Sequence, residues 1–287
     1  MSNLKLSDGR NLEFEDNGVK SDRAILLLHG TPGSYKTWSS WLSQITDCRA
    51  IAASRAGYGK SDRHAGRTVA DDLADQQALL DHFGIKEFVA IGWSGGGPHS
   101  INMTREPRCK GVITLAGVGE WGNSDLDFLA GMGPENEDEF GVALKGESAL
   151  LEWMIKNATA YKTISGPEII EALGGLIGDA DKAALTAEEA DETAQTFRHA
   201  VVDTFYGWID DDLAFVQSFG IDLAAITKPV SVWQGDDDFM VPKAHSEWLV
   251  KHIPSATLNF VPGHGHISLV TTYRNQIINH AQELLNS

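Results

Sequence analysis

A serine set between glycines, Gly92-Trp93-Ser94-Gly95-Gly96, follows the apolar run "FVAI" and precedes a segment of small residues. Serine is a weak nucleophile until a base takes its proton, and the base needs an acid to orient it. Later stretches supply both. "VSVWQGDDDFMVP" ends an apolar run at Asp236, Asp237 and Asp238, and "NFVPGHGHISL" places His264 and His266 after the next one. The order serine, acid, histidine, with each member just after a strand-like run, suits acyl transfer through a covalent serine intermediate. On the residues alone, any of the three aspartates and either histidine qualifies. A glycine-rich turn with a purely structural role is the alternative reading, and the acid and base downstream weigh against it.

Other elements must position these groups. Asp8-Gly9 between two alternating runs predicts a hairpin. "AILLLHG" (24–30), "CRAIAAS" (48–54), "EFVAIG" (87–92), "KGVITLAG" (110–117), "PVSVWQG" (229–235) and "TLNFV" (257–261) read as buried strands. Helical spacing covers 68–85, with Gly84 as its stop, the segment after Gly96, 243–253 and the closing "TTYRNQIINHAQELL". Between about Val118 and Ala225 the chain reads as helical, acidic and dotted with aromatics. "AEEADETAQTFRHAVVDTFYGWI" reads there as one helix, opened by a capping box at Thr186–Glu189. Alternating strands and helices predict an α/β fold, a mostly parallel central sheet with helices on both faces. The expected organisation is a core domain of 1–117 and 226–287 with a helical cap domain, 118–225, inserted into it.

Composition narrows the partners. The 287 residues are 42% hydrophobic and 22% charged, with a formal net charge of −17. An acidic surface repels phosphate backbones and anionic bilayers, so neither nucleic acid nor membrane is an expected partner. No run approaches the roughly 18 apolar residues of a membrane helix. The opening segment lacks a basic and an apolar region, so no signal peptide is expected and the expected location is cytoplasmic. Cys48 and Cys109 are too few for a disulfide framework, though one bridge between them stays open. His264-x-His266 has no second histidine cluster at ligand spacing. "DADKAALTAEE" lacks the glycine and glutamate of a calcium loop, so no metal and no cofactor is expected.

Nearly the whole chain resembles the α/β-hydrolase superfamily. "LLLHGTPGS" is similar to its His-Gly-x-Pro-Gly segment, and "SRAGYGKSD" to its Arg-Gly-x-Gly-x-Ser loop, with Ala56 where glycine is common. "GWSGGG" matches its nucleophile turn, "GDDDFMVP" its Gly-x-x-Asp-x-x-Val-Pro, and "GHGHISL" its Gly-His turn. The resemblance implies Ser94, Asp238 and His266 as catalytic residues, and makes Asp236, Asp237 and His264 loop residues. It implies an oxyanion hole from the backbone N–H groups of Thr31 and Gly95. A serine nucleophile separates the chain from haloalkane dehalogenase and epoxide hydrolase relatives, which use aspartate.

The expected substrate is a small molecule with an acyl group, and the expected activity that of a carboxylesterase. His29, a structural loop residue by the resemblance, and Trp93, Trp121 and Trp208 are the residues expected around the pocket. Phe128, Met132, Trp153, Met154, Tyr161, Phe205, Tyr206 and Phe215 either join them or form the cap's own core. The runner-up is a proline-iminopeptidase-like aminopeptidase. Its His-Gly-Gly-Pro-Gly is close to His29–Gly33, and "PENEDEF" could bind an amino terminus; Thr31 for glycine and Gly95 for tryptophan depart from it. Lactone and thioester hydrolysis use the same machinery. A third reading, from another class, is a ligand receptor on the same fold that does not turn over. Monomer and homodimer stay open.

Overall fold

The computed structural model describes residues 2–287. Its centre is an eight-stranded sheet: β1 (Ser2–Lys5), β2 (Asn11–Asp16), β3 (Arg23–Leu28), β4 (Arg49–Ala53), β5 (Glu87–Trp93), β6 (Cys109–Leu115), β7 (Val230–Gly235) and β8 (Ala256–Val261). The spatial order is β1-β2-β4-β3-β5-β6-β7-β8. The β1–β2 hairpin joins β4 antiparallel, and every pairing from β4 to β8 is parallel.

The apolar runs are continuous because both sheet faces are covered. On β3, Ala24, Leu26 and Leu28 enter one core while Ile25 and Leu27 enter the other. On β5, Phe88 and Ala90 divide from Val89 and Ile91 in the same way. Helices α1 (Ser39–Gln44), α2 (Asp72–His82) and α3 (Gly96–Asn102) lie between the early strands. No strand forms between Leu115 and Val230. There the chain builds α4 (Pro134–Ala143), α5 (Glu147–Asn157), α6 (Ile169–Leu173), α7 (Asp179–Ala184), α8 (Ala187–Ala200) and α9 (Tyr206–Phe215). This helical segment has a small core of its own around Leu150, Met154 and Ile209. Helices α10 (Lys243–His252) and α11 (His266–Asn286) complete the chain. Leu79, Leu80, Ile101 and Leu249 cover one face of the sheet; Trp41, Ile277, Ile278 and Ala281 cover the other.

Two elements differ from the pattern read in the sequence. The long helix expected from Ala187 through Ile209 breaks at Val201–Phe205, where β-branched valines and Asp203-Thr204 favour helix poorly. The break turns α9 so that Ala214 and Phe215 reach the core of the sheet. The last helix starts at His266 rather than Thr271, for a reason found at the site below. Among the described residues no helix is long and apolar enough to cross a membrane.

Both cysteines are free and buried. Burial pushes the Cys48 thiol up to about 11 and the Cys109 thiol up to about 12. With so little thiolate at pH 8, the native protein should leave both unlabelled by Ellman's reagent and release two thiols in guanidinium. Fast labelling of either in the native state would contradict this burial.

Candidate active site

Ser94 lies in the turn between β5 and α3, with φ at 58, a left-handed conformation that side chains other than asparagine or aspartate seldom adopt. Two bonds hold it there: Ser94 N–H donates to Leu115 O at 2.8 Å, and Gly97 N–H donates to Ser94 O at 2.8 Å. The flanking glycines are required by close approach of backbones. A Cβ on Gly92 would collide with the carbonyl of Gly96, and one on Gly96 with the carbonyl of Leu28. Only with both absent can helix and strand close on so tight a turn.

Parallel pairing puts the carboxyl ends of the strands at one edge, and four of the loops there carry the expected residues. The loop after β3 brings Gly30 so near that a Cβ on it would sit 3.1 Å from the Cβ of Ser94. Thr31, Ser94, Gly95 and His266 all border a single cavity of about 500 Å³. Neither Thr31 N–H nor Gly95 N–H has an acceptor among the described residues.

Asp238 follows β7. Its Oδ1 accepts Met240 N–H at 2.9 Å and Val241 N–H at 2.8 Å; its Oδ2 accepts Gln234 Nε2 at 3.3 Å. His266 Nδ1 donates to Oδ2 at 2.9 Å, which fixes the tautomer and leaves Nε2 to accept a proton. Burial alone would lower the imidazole. The Asp238 charge, its hydrogen bond and the Asp181 charge outweigh that and hold His266 above its ordinary value. Trp93 stacks obliquely on the His266 ring at 5.3 Å and donates from Nε1 to His266 O at 3.2 Å.

Asp181, on α7, stood out in the sequence only within the stretch weighed as a calcium loop. Its carboxylate accepts the N–H groups of His266, Ile267 and Ser268 at 2.9, 3.0 and 2.8 Å. A carboxylate on the unpaired donors of a first helical turn is a favourable cap. It explains why α11 begins at His266 itself. Asp236 and Asp237 lie outside the cavity, accepting Gly263 N–H at 2.6 Å and Ala180 N–H at 3.1 Å. His264 likewise stays in its loop, at 3.1 Å from Pro262 O.

Of the residues expected around the pocket, Trp93 and Trp208 border the cavity, as do Met132, Trp153, Tyr161 and Phe215. Trp121 does not: its ring packs edge-on against Phe128 at 5.0 Å. His29 does not either. It is fully buried behind the cavity wall, where it accepts Arg55 N–H on Nε2 at 2.9 Å. Burial and the Arg55 charge hold its imidazole well below the ordinary value, so it is neutral and a hydrogen-bonding strut. Phe128, Met154, Phe205 and Tyr206 also lie off the cavity, in packing against neighbouring helices.

The wall opposite is acidic in composition. Glu139 and Asp212 are buried side by side there, and Trp208 Nε1 donates to Glu139. Burial and the Glu139 charge push Asp212 well above the ordinary carboxyl value, and burial raises Glu139 as well.

The α/β-hydrolase fold model matches residues 23–146. A non-heme haloperoxidase from Rhodococcus erythropolis is 26% identical over 268 residues, 91% of this chain and 90% of that protein. A proline iminopeptidase from Xanthomonas citri is 27% identical over 122 residues, 40% of this chain and 38% of its own length. Among solved structures, a thermophilic esterase from Thermogutta terrifontis superposes at a TM-score of 0.72 with 20% identity, covering 100% of this chain and 98% of that one.

The close approach at the turn and the open space at Gly141 make a contrast. No atom lies within 4 Å of a Cβ built on Gly141, which sits inside α4. Gly141→Ala should stabilise the fold by roughly 0.5–1 kcal/mol, whereas Gly96→Ala should destabilise it by about 1–3 kcal/mol. Urea titration of the two variants checks both signs.

Proposed function

Because the chain is an α/β hydrolase by fold, we propose that it is a serine hydrolase cleaving carboxylic esters through an acyl-enzyme intermediate. Ser94 Oγ attacks the carbonyl carbon while His266 Nε2 takes the hydroxyl proton. Asp238 keeps the imidazole in the required tautomer and stabilises its charge. The developing oxyanion accepts from Thr31 N–H and Gly95 N–H. As the carbonyl re-forms, the bond to the alcohol breaks and His266 returns its proton to the leaving oxygen. Water then attacks the acyl-enzyme, gives its proton to His266, and frees the acid while Ser94 recovers its own. The observation that carries this reading is the 2.9 Å Asp238–His266 hydrogen bond at the edge of the cavity that Ser94 also borders.

The helical segment acts as a cap, and the cavity beneath it has the size of a small-molecule site. Trp93, Met132, Tyr161, Trp208 and Phe215 suit an acyl or alcohol part of modest size. The runner-up remains an iminopeptidase-like aminopeptidase, favoured by the carboxyls on the cavity wall. Glu135, Asp138, Glu139, Glu189, Glu192 and Asp212 stand there against Lys36 and Arg274. That excess of acid suits a substrate with a protonated amine.

The test is labelling with a fluorophosphonate and peptide mapping, beside turnover of p-nitrophenyl esters and proline arylamides. Adduct on Ser94 with sustained ester hydrolysis is expected. Arylamide turnover alone would establish the aminopeptidase; one slow turnover with a retained product would establish the receptor. Ser94→Ala and Asp238→Asn should each lower kcat by about a thousandfold or more, while Asp236→Asn and Asp237→Asn stay near wild type. Equal losses at all three aspartates would remove Asp238 from its role.

His266 must be neutral to act as base, and its value in the folded protein is raised above 6.5. The rate should therefore fall as pH drops through that raised value. The acid limb of kcat/KM is expected above pH 6.5, and Asp238→Asn should move the residual limb to lower pH. A wild-type midpoint below 6.5 would contradict the assignment.

A further inference from the structure

Asp211 is the most elaborately partnered acid in the chain, and nothing in the chemistry above uses it. It lies on α9 with 0% exposure, and an ionised carboxylate so placed must be matched by charge and hydrogen bonds. Arg55 Nη2 donates to its Oδ2 at 2.6 Å and Tyr58 Oη at 2.8 Å, while Arg67 Nη2 meets Oδ1 at 2.6 Å. Burial would raise the carboxyl, and the Arg55 and Arg67 charges overcome it, holding it well below its ordinary value. His99 Nε2 stands farther off, 3.8 Å from Oδ1, and the informative partner is Thr31, whose Oγ1 donates to Oδ2 at 2.6 Å.

The same Arg55 reaches past Asp211 to the loop itself. It donates to His29 O and, at 3.0 Å, to Gly30 O. Gly30 C=O and Thr31 N–H belong to one planar peptide unit, which is trans, the cis bond of this loop being the next one, Thr31-Pro32; in a trans unit the two groups point in opposite directions. Holding Gly30 O on one side therefore aims Thr31 N–H to the opposite side. The Thr31 hydroxyl supplies a second anchor on the same residue. Asp211 is thus joined to Thr31 directly through Oγ1 and indirectly through Arg55.

We propose that Asp211 is the positioning residue of the oxyanion hole, setting the direction of Thr31 N–H from a helix of the cap. The inference rests on the serine-hydrolase reading and adds a dependence that reading lacks: the hole is complete only with α9 seated. Phe215 on the same helix supports it, since a Cβ on Gly95, the other donor, would lie 2.9 Å from that ring. One helix thus lies against both donors.

The test compares Thr31→Val, which removes the hydroxyl and keeps the N–H, with Thr31→Ser, which restores it. The measurements are kcat and KM on a p-nitrophenyl ester and the affinity of an alkyl boronic acid, whose tetrahedral adduct on serine needs the hole. Thr31→Val should lose about tenfold in kcat and in boronate affinity with KM nearly unchanged. Thr31→Ser should recover most of both. Asp211→Asn, where it folds, should lose more, about a hundredfold, in the same two quantities; where it does not fold, the Thr31 pair decides. Wild-type kcat and boronate affinity in Thr31→Val, or a loss in KM alone, overturns the proposal. A parent protein that neither hydrolyses esters nor binds the boronate overturns the serine-hydrolase reading and this inference with it. An active parent indifferent to Thr31→Val overturns this inference alone.

Discussion

The site depends on one steric constraint, the contact of bare backbones around Ser94. Strand β5 lies between β3 and β6, and α3 must fold back onto it within a few residues. Any side chain at Gly92 or Gly96 would occupy space already held by a carbonyl oxygen. The left-handed conformation of Ser94 is the local cost of that closeness, of order 1–3 kcal/mol for such a residue. The sheet's hydrogen bonds on either side over-determine the turn and keep it. The parallel register Leu28↔Gly92 then sets the His29–Thr31 loop beside the serine, and the register Gly235↔Val261 aligns the ends that lead to Asp238 and His266.

Around this turn, buried acids serve distinct ends because their partners differ. Asp238 meets an imidazole and two backbone N–H groups. Asp181 meets the first turn of α11 and so fixes where His266 stands. Asp211 meets two guanidinium groups that hold its carboxyl well below the ordinary value, while burial and the Glu139 charge push its neighbour Asp212 well above it. Adjacent carboxyls of one helix are thus shifted in opposite directions, decided by which side of the helix faces cation and which faces cavity.

Much of the fold was legible because its signals are local. Continuous apolar runs with turn residues at their ends marked the strands, and Asp8-Gly9 marked the hairpin. Ser94, Asp238 and His266 were legible for the same reason, since each sits at a strand end within a short motif. Asp181, Asp211 and Asp212 were not, because an acid in a helical stretch of an acidic chain reads as a solvated face. Their meaning comes from partners distant in the chain, the N–H groups of His266, Ile267 and Ser268 for Asp181, Arg55 for Asp211 and Glu139 for Asp212. Trp121 and His29 failed for a different reason: composition tells how large an aromatic ring is, never which way it faces. The break between α8 and α9 was hidden because apolar spacing continues across Val201 and Val202.

The seating of α9 also bears on how molecules come and go. Lifting that helix from the sheet would part Asp211 from Arg55 and Arg67, and breaking such a buried set costs about 3–5 kcal/mol for a single partner removed. At that cost the helix would stand open in fewer than about one molecule in a hundred. If the chain is the hydrolase proposed above, its substrate would pass with α9 in place, along a cavity lining that includes Lys36 and Arg274. Its pace of entry and exit would then be set by side chains of that lining rather than by a hinged door.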